Sequence, residues 1–187
     1  MCTTSDDENT IDNNILNSVD AIRPLCSIHP IHTAAKVNNR NTICNNNIYD
    51  FLNRGVASKG ITLGANTTAC AVTGNSLYVT TSFVPTAAVA YYPIYINNAA
   101  GTGFTVTGNY IGGQAAACGG SAWTKTNASS NAFNGIYMNV GTAPISNVQN
   151  NTIKNFAWSN AVAAPWFGIY VAGGKVDTSG LYINRGN

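Results

Sequence analysis

A six-residue pattern recurs along the chain and constrains its fold more than any other feature: apolar, any, Gly or Asn, Asn, any, apolar. It begins at Ile11, Ile43, Val72, Val106 and Val148, and its second polar position falls on Asn14, Asn46, Asn75, Asn109 and Asn151. A second unit alternates with it, Gly or Pro followed by apolar-x-apolar: Ile61/Leu63, Ile94/Ile96, Ile136/Met138 and Ile169/Val171. From the Ile of the second unit to the next Asn of the first, the spacing is nearly constant. It is 14 positions from Ile61 to Asn75, and 15 from Ile94 to Asn109, Ile136 to Asn151 and Ile169 to Asn184. Counting back the same distance from Asn46 reaches Ile31. In the other direction the gap varies, with 15, 19, 27 and 18 positions from Asn46, Asn75, Asn109 and Asn151 to the next Ile. Constant spacing on one side and variable spacing on the other describe a fixed wall plus a side that tolerates insertions, which is the signature of a solenoid coil.

Side-chain geometry agrees with the spacing. Residues two apart on a strand point to the same face, so each apolar-x-apolar pair faces a core and stacks on its counterpart in the next coil. Asn45, Gly74, Gly108 and Asn150 precede the repeated Asn, and Asn and Gly are the residues that best tolerate the left-handed backbone a sharp bend requires. The repeated Asn46, Asn75, Asn109, Asn151 and Asn184 then stack coil on coil, each side-chain amide bonding those above and below, as in the ladders of cross-β structure. The expected fold class is all-β, a parallel β-helix solenoid of about five coils. One domain spans 1–187: 1–36 is weakly patterned, an irregular first coil or a loop; 37–187 carries clear coils; and the Gly/Ala/Ser-rich stretch 112–134 is a long lateral loop. The last residues stop partway through a repeat, so the chain is expected to be part of a longer helix.

The Asn-x-Ile and Gly-Ile-x-apolar units resemble those of right-handed parallel β-helix proteins of the pectate-lyase-like superfamily, over roughly residues 31–187. The composition is similar to that of bacterial secreted or surface proteins carrying such regions. The resemblance implies architecture; it leaves activity open, because this fold hosts lyases, hydrolases, adhesins and tailspikes alike.

Composition narrows the function classes. Charged residues make up 9% of the chain, against about 25% in an ordinary soluble domain. With a net charge of +2 and no Lys/Arg cluster there is no nucleic-acid footprint, and no apolar run is long enough for a membrane span. The five cysteines lack metal-type pairing, and read as small buried hydrophobes or as one disulfide in an extracellular setting. His29 and His32 flank Pro30 with no third ligand near, so no metal or cofactor is expected. Of the acids, Asp50 and Asp177 alone fall in the patterned region, several coils apart, whereas glycoside hydrolysis needs two carboxylates about 5–9.5 Å apart. No catalytic residue is assigned.

Two features are candidates for ligand contact. Between the inward residues of the second unit lie Thr62, Tyr95, Tyr137 and Tyr170, an outward aromatic stripe if the coils stack in register. It reads either as a sugar-stacking platform or as cross-strand packing worth about 0.2–1 kcal/mol per pair. Trp123, Trp158 and Trp166 fall in or near the variable loops, and either line a groove beside the stripe or cover the edge of the core. The functional expectation is a structural, adhesive β-helical surface module, extracellular or at the cell surface, that displays loops and contacts polysaccharide or another surface as well as flanking coils of its own protein. The alternative is a carbohydrate-active enzyme, a polysaccharide lyase or glycoside hydrolase, whose catalytic coils lie outside this chain or are degenerate within it.

Overall fold

The bends come first, because they set the coil. In a computed structural model that describes residues 8–18, 23–30 and 38–179, Asn13, Asn45, Gly74, Gly108 and Asn150 all take positive φ, between 54° and 66°. At Gly74 even a Cβ would lie 2.6 Å from the Asn45 amide oxygen. Each bend joins a short strand before it to a short strand after it, so the repeated pattern folds as strand, corner, strand.

Stacking these corners produces three parallel sheets. The first contains Thr10–Asp12, Thr42–Cys44, Ala71–Thr73, Thr105–Thr107, Ser146–Gln149 and Val176–Asp177. The second contains Ile15–Asn17, Asn47–Tyr49, Ser76–Tyr78, Tyr110–Ile111 and Thr152–Ile153. The third contains Cys26–Ile28, Ser58–Leu63, Tyr91–Asn98, Phe133–Val140 and Trp166–Gly173. Neighbours in every sheet come from successive coils and pair in parallel, giving a β-solenoid of about five turns. The register follows the sequence repeats. Ile11, Ile43, Val72, Val106 and Val148 are successive partners, as are Ile61, Ile94, Ile136 and Ile169, and Leu63, Ile96, Met138 and Val171. These columns fill the interior: Ile61, Leu63, Val72, Ile94, Ile96, Val106, Ile136, Met138 and Val148 are fully buried. Burying one such side chain contributes about 1.5–3 kcal/mol.

The asparagine ladder runs through the corner between the first two sheets. The Oδ1 of Asn75 accepts from the backbone N and the Nδ2 of Asn46, at 3.0 and 2.9 Å. The Nδ2 of Asn75 donates to Oδ1 of Asn109 at 3.0 Å and to the Ile43 carbonyl at 2.9 Å. The same set repeats from Asn14 to Asn46 and from Asn109 to Asn151. The rungs are 32, 29, 34 and 42 residues apart in sequence, so the ladder holds constant geometry while the loops between rungs change length. Only an amide fits, because each rung must accept on one atom and donate on another. Asn184 lies outside the described residues. After Met138 the register slips, with Asn139 opposite Gly173 and Ser146 opposite Val176, so the even spacing of the earlier coils does not run on into the last one.

Two expectations need correction. The first coil includes Cys26–Ile28, and Ile28, not Ile31, is the partner of Ile61; Ile31 itself is outside the described residues. Of the two readings of 1–36, an irregular first coil or a loop, the described residues form the coil, with strands Thr10–Asp12, Ile15–Asn17 and Cys26–Ile28. The second correction concerns 112–134, which is not a lateral loop. It holds a 3-10 turn, Ala116–Cys118, whose Ala117 N–H donates to Ser76 Oγ at 3.1 Å. It also holds a strand, Trp123–Lys125, that pairs with Phe156–Trp158 of the next coil. With Phe83 bridged to Lys125, these strands form a fourth, smaller wall. Aromatic packing and one buried cation hold it. Trp123 is 0% exposed, and the Lys125 ammonium is enclosed by the carbonyls of Asn127, Ser129 and Ser159 and by Asn160 Oδ1.

Candidate functional site

The outward face of the third sheet carries an ordered group of aromatic and amide side chains. Alternation along Tyr91–Asn98 turns Ile94 and Ile96 inward and Tyr95 and Asn97 outward, and along Phe133–Val140 it does the same with Tyr137 and Asn139. Register then aligns Thr62, Tyr95, Tyr137 and Tyr170 in one column, as the spacing predicted. A second column contains Lys59 and its partner Tyr92, with Asn134 and its partner Phe167. A third pairs Asn97 with Asn139.

Ring geometry decides what this face offers. Tyr95 and Tyr137 lie face to face, 4.7 Å between centroids and 22° between planes. The Lys59 ammonium sits 4.7 Å from the Tyr95 centroid, on the side of the preceding coil. Tyr95 is thus covered on both faces by its own neighbours. Tyr137 also contacts Tyr170 at 5.6 Å and Tyr92 edge-on at 5.8 Å, and Tyr170 stacks on Phe167 at 5.1 Å. The rings spend their faces on one another, which is cross-strand packing, and they leave phenolic edges for the outside. The amides extend this edge: Asn97 Nδ2 donates to the Tyr95 hydroxyl at 3.1 Å, and Asn139 Nδ2 donates to Asn97 Oδ1 at 2.9 Å. Burial, reinforced by the neighbouring phenols, pushes the Tyr95 hydroxyl above its ordinary pKa, and Tyr92 is raised for the same reasons. The face therefore presents neutral donors and acceptors with one cation at its edge.

The tryptophans do not join it. Trp123 is closed off inside an aromatic cluster, stacked on Phe156 at 5.3 Å and edge-on to Phe51 and Phe133, so it cannot reach a ligand in a groove. Trp158 is half-buried against Phe133 and Tyr91, its indole N–H donating to the Asn131 carbonyl. Trp166 is 40% exposed but lies flat on Phe133 at 5.4 Å, in the inward column Tyr91, Phe133, Trp166. All three belong to the packing between the fourth wall and the third sheet.

The described carboxylates are each held by local partners. Asp50 accepts from the Thr80 backbone N and hydroxyl and meets Arg23 at 3.6 Å. Asp177 accepts from the Ser179 backbone N and from Gln149. Asp12 accepts from Cys44 and Asn45, and Glu8 pairs with Arg40. Among the described residues no three His, Cys, Asp or Glu side chains are grouped to hold a metal ion, and Cys26, Cys44 and Cys118 are free thiols. No helix among the described residues is long and apolar enough to cross a membrane.

Tyr92, Asn97, Asn139 and Lys59 were not singled out by sequence. The Tyr-x-Asn repeat at Tyr95/Asn97 and Tyr137/Asn139 is readable by carrying the two-residue period one step further. Tyr92 is not, because it lies three residues from Tyr95 across Pro93, where the alternation breaks. No family model, curated protein or solved structure matches this chain.

Proposed function

We propose that this protein is a structural, adhesive solenoid module, placed outside the cell or on its surface, which meets polysaccharide along the outward face of the third sheet. The observation that carries the reading is the composition of that face: phenol edges and amides repeating coil by coil, with one lysine and no carboxylate among the described residues. Polysaccharides are chains of repeated hydroxyls, and a rigid comb of neutral donors and acceptors offers them repeated hydrogen bonds without ordering cost on the protein side. The mode of contact is hydrogen bonding to edges, because the ring faces are already occupied. The low overall charge suits a partner of neutral hydroxyls better than one of strong opposite charge.

The test is retention on a panel of insoluble neutral and acidic polysaccharides, with reducing ends and unsaturated uronates assayed in the same tubes. Retention that weakens in Tyr137→Ala and in Asn139→Ala, with no new ends released, supports the reading. Absence of retention on every polysaccharide overturns the carbohydrate part. Turnover that is lost on replacing Asp50 or Asp177 overturns the structural part in favour of an enzyme.

A further inference from the structure

Among the described residues, six tyrosines have another tyrosine ring in contact: Tyr49 with Tyr78, and Tyr92, Tyr95, Tyr137 and Tyr170 with one another. Packing alone does not require tyrosine at these outward positions, since phenylalanine would stack equally well; the hydroxyl adds redox chemistry. A phenol is readily oxidised by one electron when it can also release its proton, and two phenoxyl radicals held side by side couple through their ortho carbons.

We propose that the tyrosine column of the third sheet is an oxidative coupling site, at which a haem peroxidase using hydrogen peroxide joins successive coils through a carbon–carbon bond between Tyr95 and Tyr137. The peroxidase takes one electron and one proton from each phenol, and these reduce one hydrogen peroxide to two waters. The two phenoxyl radicals combine ortho to ortho. Each ortho carbon then passes its hydrogen to its own phenolic oxygen, restoring both aromatic rings. The product is a biphenol two hydrogens lighter than the starting chain.

Three features favour this pair. The 4.7 Å, nearly parallel stack is the closest tyrosine contact on the face. Tyr170, 40% exposed, gives the oxidant access, and its ring lies 5.6 Å from Tyr137, so a radical formed there has a neighbour through which to pass. The two rings sit on strands that are fixed in register by the backbone ladder, so the partners are already placed, which raises their effective concentration far above that of a second chain in dilute solution. The coupling locks two coils that are 42 residues apart in sequence.

The experiment treats dilute full chain with a haem peroxidase and hydrogen peroxide, then reads dityrosine fluorescence, gel-filtration position and peptide maps. The expected result is a monomer two hydrogens lighter, with the peptide containing Tyr95 joined to that containing Tyr137. Tyr137→Phe keeps the ring and its stacking and lowers the fluorescence several-fold; Tyr170→Phe slows the reaction and leaves the link in place. Links that map elsewhere, products that are only chain-to-chain dimers, or undiminished fluorescence in Tyr137→Phe overturn the proposal. The map of the unsubstituted chain decides the matter even if a variant folds poorly.

Discussion

Replacing Asn75 with Ala tests whether the amide ladder holds the stack together. Asn75 is fully buried in the middle of the ladder. Its removal leaves three groups without their partner: the backbone N–H of Asn46, one hydrogen of the Asn46 amide, and the Ile43 carbonyl. Asn109 Oδ1 keeps the donor it receives from the backbone N of residue 75. An orphaned buried donor or acceptor costs about 1–3 kcal/mol, so three of them give roughly 3–9 kcal/mol. The vacated space is lined by polar groups, and a water entering it recovers part of this. The expected loss is therefore about 3–5 kcal/mol, a large share of the ~5–15 kcal/mol that holds a domain folded. Equilibrium urea unfolding followed by far-ultraviolet circular dichroism measures it. Asn14→Ala, at the exposed end rung, serves as the comparison and is expected to cost under about 1 kcal/mol.

Asn75→Asp sharpens the test, because it keeps the shape and changes only the donor. A carboxylate oxygen then faces the Asn109 Oδ1 and the Ile43 carbonyl, acceptor against acceptor. The aspartate variant is expected to be less stable than the alanine variant at neutral pH and to recover on acidification, when its carboxyl regains a hydrogen to donate. A loss below about 1 kcal/mol for Asn75→Ala, or an aspartate variant as stable as the parent at neutral pH, refutes the ladder as the source of stability.

The remaining predictions concern the fourth wall, the second bend and the phenols. Lys125→Met keeps the aliphatic stem and removes the ammonium from its four oxygens; a loss of about 3 kcal/mol or more is expected, with hydrogen exchange rising first in residues 112–134. Ala69 lies at φ 51° in a bend column shared with Arg40 and Gly103, so Ala69→Gly relieves left-handed strain and stabilises by about 1 kcal/mol in the same urea assay. The phenols of Tyr92, Tyr95 and Tyr78 are raised by burial above the ordinary value of 10.0. Above that value the folded chain binds more protons than the unfolded one, so these groups contribute full stability below pH 10.0 and lose it as pH rises through their folded values. Thermal unfolding across this range is expected to show falling stability, and Tyr95→Phe to flatten the fall.

Legibility in the sequence followed the kind of contact. The ladder and the inward columns were readable because each rests on one residue type at one phase of the repeat: Asn46, Asn75 and Asn109 announce themselves by what precedes and follows them. The tyrosine column was readable for the same reason, but its use was not, because spacing fixes which side chains adjoin and says nothing about ring tilt. Tyr95 and Tyr137 would offer flat faces to a sugar if their planes lay along the sheet; at 22° to each other and 4.7 Å apart they offer edges.

The fourth wall was not legible because nothing in it repeats. Its partners are single contacts between segments of unlike composition: Trp123 against Phe51 and Phe156, Lys125 against carbonyls from residues 127–159, and Asn155 against the carbonyls of Cys118, Gly120 and Ser121. A Gly/Ala/Ser-rich stretch reads as a loop when its few anchoring residues are averaged away, yet here a single tryptophan and a single lysine supply the burial and the hydrogen bonds that order it. The same reasoning explains why the solenoid tolerates so long an insertion. The ladder at Asn109 and Asn151 is bridged with the geometry of its shorter neighbours, so the extra residues of that coil are free to build a wall of their own on the outside without disturbing the column that carries them.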